Sequence, residues 1–506
     1  MAGFDPLASD SPLVVYIDFK SPYAFVAVEP TFELEDQLGI EADWRPLTLD
    51  IPSYLGSARL DERGNVVEQN RTDEQWAAVK YAYRDARRYA ALRGFTLRGT
   101  VKIWDTSIAH IAMLWAKGQG REILRAYIRG VYAPFWRREL DAEDREVIAS
   151  VLRHAGADVA GFESFLAGAG RAEHDAMQAA IFDAGIFGVP SYVAGGELFF
   201  GRENLPRVRW LLSGRSGPAP DVAYRRFEAA AVARDAAPAP GAAAPTRTAV
   251  PAPGAAAPTR DAAAPTRDNA APTRAAALPS RPPESPGAVG LAAPPSLVVA
   301  IDFKQPQSYL AFGPTRDLAA SMGIAIDWRP FAAASLERVA DEAPADSVAD
   351  DRTSRHLRFR ARYVENDLHR YAAAQGLVLR DLHRAPDASL AGRGLLFVKE
   401  AAASNAVDRR VVDAYVHRVF TGYWRGKLDL EEVEAIRGIL AEVGADAAAF
   451  RPDSLRDAFD DCRSGLRASG VIATPAYLVG DELFLGRAHL PMIRWLLEGR
   501  TGPPPI

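Results

Sequence analysis

Residues 13–19 form a short, mainly apolar and β-branched run, which predicts a buried strand. Ser21-Pro22 then opens a helix that runs to about residue 38, where Gly39 stops it. Residues 40–45 read as a second strand. From residue 71 to 184 the period becomes that of helices. Trp76, Val79, Tyr83 and Ala86 recur at helical spacing, and further segments fall around 108–115, 123–136 and 146–154. Two short strands, Ser191–Ala194 and Glu197–Phe200, are joined through Gly195-Gly196, and a helix over Leu205–Leu212 closes the unit. The pattern is a mixed α/β unit interrupted by an all-helical block.

The whole pattern then occurs again. Ile17-Asp18-Phe19-Lys20 recurs as Ile301-Asp302-Phe303-Lys304, and Asp43-Trp44-Arg45-Pro46 as Asp327-Trp328-Arg329-Pro330. The stretch 196–218 recurs as 481–503, and Asp85-Ala86-Arg87-Arg88-Tyr89-Ala90 is answered by Asp367-Leu368-His369-Arg370-Tyr371-Ala372. Anchors that keep their order over so long a span predict a tandem duplication rather than a solenoid. The copies are placed at 11–217 and 296–503. Between them, residues 218–295 hold 16 of the chain's 36 prolines, with alanine filling much of the rest, and Ala-Pro-Thr-Arg occurs four times. Such a segment has too few large apolar groups to offset its ordering entropy, and it reads as a disordered linker.

Composition narrows the function classes. The 506 residues are 48% hydrophobic and 25% charged, with a net charge of −5, so no basic excess is available to hold nucleic acid. No apolar run approaches the ~20 residues a membrane-spanning helix needs. Residues 1–10 have neither a basic start nor an apolar core and do not read as a secretory signal. The expectation is a soluble, cytoplasmic chain. A single cysteine, Cys462, excludes an internal disulfide, a CxxC pair and a cysteine-based zinc site. Its place in a helical run of the second copy reads as a packed thiol. The eight histidines include no HxxxH pair, and no metal is expected.

The run Asp18-Phe19-Lys20-Ser21-Pro22-Tyr23-Ala24-Phe25 resembles the opening of the DsbA-like thioredoxin group that includes 2-hydroxychromene-2-carboxylate isomerases and kappa-class glutathione transferases. Gly188-Val189-Pro190-Ser191-Tyr192, followed by Glu197-Leu198-Phe199-Phe200-Gly201, resembles the same group's cis-proline segment and last hairpin. The fold class expected is therefore α/β, a thioredoxin-like fold with an inserted all-helical domain, duplicated in tandem. Where oxidoreductases of the group carry Cys-x-x-Cys, this chain has Ser21-Pro22-Tyr23-Ala24. A hydroxyl cannot replace the thiolate of disulfide exchange. It can donate a hydrogen bond to a thiolate brought by a cofactor, at a helix start that favours an anion.

The resemblance implies that the cofactor is glutathione and that Ser21 activates its sulfur. It further implies that the Val189 backbone, ahead of a cis Pro190, pairs with the glutathione peptide, and that Arg202 and Glu203 meet its γ-glutamyl end. Each residue also has a plain structural role open to it. Ser21 before proline is an ordinary N-cap, Pro190 a turn residue, and Glu203 a first-turn acid. Lys20 is either an anion-attracting group beside the helix start or a solvated strand-end lysine. Tyr23, Tyr54 and Trp104 are candidates for substrate contact, with Tyr54 and Trp104 walling the pocket from opposite sides or belonging to the core. The function expected is a glutathione-dependent isomerase or transferase acting on a small aromatic or electrophilic compound. The alternatives are a non-catalytic thioredoxin-like binding module, or an oxidoreductase in name only because the cysteine pair is absent.

The second copy has lost these groups. Ser21 corresponds to Gln305, Tyr23 to Gln307 and Glu203 to Ala488, while Trp328, Arg370, Tyr371, Pro475 and Trp495 survive. Framework without site groups predicts a degenerate copy. It is expected to pair with the first, or the chain to form a homodimer.

Overall fold

The computed structural model describes residues 4–61, 65–223, 297–336, 352–405, 408 and 410–505. Strand β1 (Leu13–Ile17) is buried along its whole length because it lies in the middle of a sheet covered by helices. Helix α1 (Pro22–Leu38) starts where the Ser21 hydroxyl accepts the Ala24 amide. It ends at Gly39, whose φ of 63° is the left-handed conformation a glycine adopts without a Cβ clash. Strand β2 (Asp43–Pro46) runs parallel to β1. It begins later than its sequence suggests because the buried Glu35 carboxylate takes the Ala42 amide at 2.7 Å, which ends the turn just before Asp43. A short helix α2 (Ile51–Leu55) and a hairpin, β3 (Ala58–Leu60) and β4 (Val66–Gln69), follow. Neither is legible in the sequence, because neither buries a periodic face.

The helical block comprises α3 (Asp73–Leu92), α4 (Ser107–Lys117), α5 (Arg121–Trp136), α6 (Arg145–His154), α7 (Phe162–Ala167) and α8 (Ala169–Asp183). α3 opens with a reciprocal cap between Thr72 and Gln75. The chain then returns to the sheet as β5 (Ser191–Ala194) and β6 (Glu197–Phe200), and α9 (Leu205–Leu212) closes the unit. Sheet order is β2-β1-β5-β6, with β5 antiparallel to both neighbours.

The second unit repeats the plan with β7 (Leu297–Ile301), α10 (Pro306–Met322), β8 (Ile326–Pro330) and α11 (Arg352–Ala374). It continues with α12 (Ser389–Ala403), α13 (Arg410–Trp424), α14 (Val433–Glu442), α15 (Arg456–Ala468), β9 (Ala476–Val479), β10 (Glu482–Leu485) and α16 (Leu490–Leu497). Its sheet order is β8-β7-β9-β10. Core contacts repeat as well. Tyr192 meets the Thr31 hydroxyl at 3.2 Å and Tyr477 meets Thr315 at 2.9 Å, while Trp44 and Trp328 fill matching positions.

The two units pack in a reciprocal exchange. β6 and β10 are sheet edges whose outward amides and carbonyls need partners. Helix α11 lies on β6: the Phe200 amide donates to Tyr363 Oη at 2.8 Å, and Arg370 Nη2 donates to the Leu198 carbonyl at 3.1 Å. Helix α3 does the same for β10, with Leu485 N donating to Tyr81 Oη at 2.7 Å and Arg88 Nη2 to the Leu483 carbonyl at 3.0 Å. Tyr371 donates to Asn204 Oδ1 at 2.5 Å, and Tyr89 Oη lies 2.9 Å from His489 Nδ1 in the mirrored position. Asp221 and Val222, assigned to the linker by composition, instead belong to this contact. Asp221 holds Arg487 at 3.2 Å and Gln375 at 2.9 Å, and Val222 is buried. From residue 224 on, the expected linker lies outside the described residues.

Candidate functional site

Ser21 sits between the end of β1 and the start of α1, with extended backbone angles that free its side chain to cap the helix. Its hydroxyl accepts the Ala24 amide at 3.2 Å, and the acceptor it can donate to among the described residues, Val189 O, is at 3.5 Å. The hydroxyl proton is therefore not firmly committed. The Val189-Pro190 bond is cis and faces this hydroxyl. Val189 is buried, and among the described residues its amide has no hydrogen-bond partner. A buried serine at a helix start, opposite an unpaired backbone amide, suits an extended peptide ligand with an anionic group.

The remaining candidates fall into two groups. Tyr23, Arg202 and Glu203 gather on the side facing the second unit. Arg202 is buried with its guanidinium 3.5 Å from the Tyr89 ring centroid, and its Nε has no partner among the described residues. Burial raises the Glu203 carboxyl, Arg202 opposes this, and the acids Asp367 and Asp85 add to it. Asp85 and the second unit's Asp367 act on Glu203 but are themselves paired, with Arg88 at 2.7 Å and with Arg370 at 3.1 Å. Burial, reinforced by Asp85 and Glu203, also pushes the Tyr23 hydroxyl well up, so it stays a neutral donor.

Lys20 and Trp104 form the second group. Lys20 is buried, not the solvated strand-end residue left open by the sequence. Its ammonium donates to the Trp104 carbonyl at 3.2 Å and lies 3.6 Å from Asp18 Oδ2. Trp104 contributes this carbonyl rather than its ring, which packs on Phe135 and under Lys102. Tyr54, on α2, stacks at 4.4 Å on His356 of the second unit, whose Nε2 lies 3.0 Å from the Phe187 carbonyl. The second unit therefore walls the Tyr54 side of the first site. A groove of about 680 Å³, lined by Trp76, Lys80, Ile472 and Leu483 among others, opens beside the second unit and does not reach Ser21.

Sequence reasoning passed over Asp18 as part of a motif and missed His110. Asp18 accepts from Thr106 Oγ1 at 2.7 Å and from the Leu49 amide at 2.8 Å, and it lies 3.3 Å from His110 Nε2. Burial would raise its carboxyl, but Lys20 and His110 outweigh that and hold it well below the ordinary range. Comparing the copies would have found it, because Thr106 and His110 become Ala388 and Gly392. Among the described residues the counterpart Asp302 keeps only Lys304, at 3.7 Å, as a charged partner, and burial pushes it up to about 6. Gln305 keeps the backbone angles of Ser21 but makes no cap bond. Among the described residues no group of three His, Cys, Asp or Glu side chains could hold a metal ion.

The family model of the DSBA-like thioredoxin domain matches residues 12–213 and again 297–498. The chain is 26% identical over 191 residues to the 2-hydroxychromene-2-carboxylate isomerase of Sphingobium xenophagum, covering 38% of this chain and 92% of that protein. It is 24% identical over 192 residues to the enzyme of the same name from Pseudomonas putida, covering 38% and 88%. A solved 2-hydroxychromene-2-carboxylate isomerase aligns with 40% of this chain and 95% of its own at 22% identity and a TM-score of 0.31.

Proposed function

The chain belongs to the DSBA-like thioredoxin family, in two tandem copies, and on that footing we propose that it is a glutathione-dependent isomerase or transferase whose working site is in the first copy. Its substrate is a small aromatic or electrophilic compound, a class suggested by the isomerase names of its relatives. The observation that carries the reading is the Ser21 hydroxyl, whose proton has no closer acceptor than the Val189 carbonyl at 3.5 Å, beside the unpaired Val189 N–H in a family position where disulfide chemistry would need cysteine. Bound glutathione would supply a thiolate that adds reversibly to a conjugated carbonyl system, permits rotation and is eliminated. Ser21 holds the sulfur anionic by donating to it, assisted by the α1 N-terminus. Val189 fixes the peptide backbone, while Arg202 and Glu203 orient its charged end. Lys20, held by Asp18, keeps a positive charge beside the reacting centre. The second copy lacks the serine and the glutamate and serves as a bound partner that completes the wall at Tyr54.

The test is the ultraviolet thiolate absorbance of bound glutathione against pH. A charge-assisted hydrogen bond contributes about 1.5–3 kcal/mol. Ser21→Ala should therefore raise the bound thiol's pKa by about one to two units, at 1.36 kcal/mol each. Gln305→Ala should leave it unchanged. Equal shifts from both substitutions would place activity in both copies. No shift from Ser21→Ala would reduce Ser21 to a helix cap and favour a binding module.

A further inference from the structure

Beneath the Ser21 turn the first unit holds a line of polar side chains in contact with one another. From Asp18 the line passes to His110, whose buried Nε2 lies 3.3 Å from Asp18 Oδ1 and has no well-aligned hydrogen bond among the described residues. His110 Nδ1 lies 2.7 Å from Thr48 Oγ1, and the same hydroxyl is 3.0 Å from His174 Nε2. His174 Nδ1 lies 2.9 Å from the Asp175 carboxylate. Asp18, His110 and His174 are buried, whereas the Asp175 side chain is 61% exposed. One end of the line is the floor of the site and the other is in solvent.

With both rings neutral, hydrogen-bond accounting gives this line two states. A neutral imidazole has one donor and one acceptor, a hydroxyl donates once, and both terminal carboxylates only accept. If His110 gives its Nε2 proton to Asp18, Thr48 must donate to His110 and His174 Nε2 to Thr48. The His174 Nδ1 lone pair then faces Asp175. If His174 instead serves Asp175, every bond reverses and the His110 Nε2 lone pair faces Asp18. With both rings neutral the line can serve only one carboxylate. Burial, opposed by Asp175, pushes the His174 pKa down to about 4, so that ring is neutral at ordinary pH.

The second copy shows that the fold does not need this line for packing. Thr48, His110 and His174 are replaced by Ala332, Gly392 and Phe459, and a Cβ on Gly392 would lie 2.5 Å from the Phe459 ring. An apolar ring fills the space, and the domain keeps the same sheet and helices.

We propose that Asp175, His174, Thr48, His110 and Asp18 form a proton path connecting the buried Asp18–Lys20 pair to solvent. The proposal rests on the reading of the first copy as the working site. A proton entering at His174 Nδ1 displaces the Nε2 proton onto Thr48. The Thr48 proton passes to His110 Nδ1, and the His110 Nε2 proton passes to Asp18. One proton moves and no other atom is exchanged. Asp18, ionised at rest, holds this proton only in transit, passing it to Lys20 when Lys20 has given one up on the site side. Asp18 is faced by Lys20, by Tyr54 on α2 and by Tyr132 on α5, while His174 is faced by Arg171 and Asp175 on its own helix. His110, Thr48 and His174 are positioning residues in this scheme, since none touches the reacting atoms.

The experiment is nitrogen NMR of the histidine rings in the full chain, without glutathione. Asp18→Asn should change the tautomer of His174 as well as that of His110, with protonated and unprotonated nitrogens exchanging places. Thr48→Val should abolish the effect at His174 and leave that at His110. A His174 spectrum unmoved by Asp18→Asn in a folded chain would overturn the path. Should that variant not fold, Asp175→Asn read at His110 makes the same test from the exposed end, and an unmoved His110 would overturn it. Because the readout needs no glutathione, loss of coupling counts against the path alone. Intact coupling without glutathione binding counts against the Ser21 reading alone.

Discussion

Tyr363→Phe removes one oxygen from the contact between the two units and leaves the ring in place. That oxygen accepts the Phe200 amide at 2.8 Å, on an edge strand that offers the amide no ladder partner on that side. The ring remains packed at 5.5 Å from Phe187 and 6.1 Å from Phe200, so little apolar contact is lost. Leaving a covered backbone donor unpaired costs about 1–3 kcal/mol. At 1.36 kcal/mol per tenfold, local opening at Phe200 should become about 5- to 150-fold more populated. Hydrogen exchange of the full chain reads this directly, because amide protection reports the free energy of local opening. The Phe200 amide should exchange faster by that factor, while Tyr192 and Val193 in β5 keep their protection. Tyr81→Phe should have the mirrored effect at Leu485, whose amide donates to Tyr81 at 2.7 Å. Unchanged exchange at Phe200 would refute the reasoning. So would acceleration spread evenly over β5 and β6, since that signals global weakening rather than the loss of one bond.

The two buried aspartates should differ in sign. Asp302 has its carboxyl pushed up to about 6, so between about pH 4 and 6 the folded state keeps a proton that the unfolded state releases. Stability should fall by about 3 kcal/mol as pH rises through that window. Asp302→Asn should remove the fall, as seen by denaturant midpoints at pH 4.5 and 7. Asp18→Asn should instead destabilise at pH 7, because Asp18 is held ionised and removing it strands the buried Lys20 charge. In redox assays the protein should neither reduce insulin nor oxidise dithiols. Its one thiol, Cys462, is half-buried and pushed up by burial, and turnover typical of CxxC enzymes would contradict the account of Ser21.

The sequence alone determined the duplication, the order of strands and helices, and the serine in place of cysteine. These follow from local periodicity and from repeated anchors such as Asp43-Trp44-Arg45-Pro46, which need no knowledge of what packs on what. It also marked the second copy as degenerate, since Gln305 and Ala488 stand where Ser21 and Glu203 do. Only the tertiary structure decided which charges are buried. Lys20 looks like a surface residue until the Trp104 carbonyl, 84 positions away, and Asp18 are seen to hold it. His110 and His174 carry no spacing signal because α4 and α8 meet only through packing. The reciprocal contact between the units was equally illegible. Tyr81 and Tyr363 sit on helices whose own sequence says nothing of the edge strands they cover, and those strands lie 404 and 163 positions away. Local pattern fixes elements because neighbouring residues share one backbone geometry. Partners brought together by folding are set by the free energy of burying polar groups in pairs, which no local pattern records.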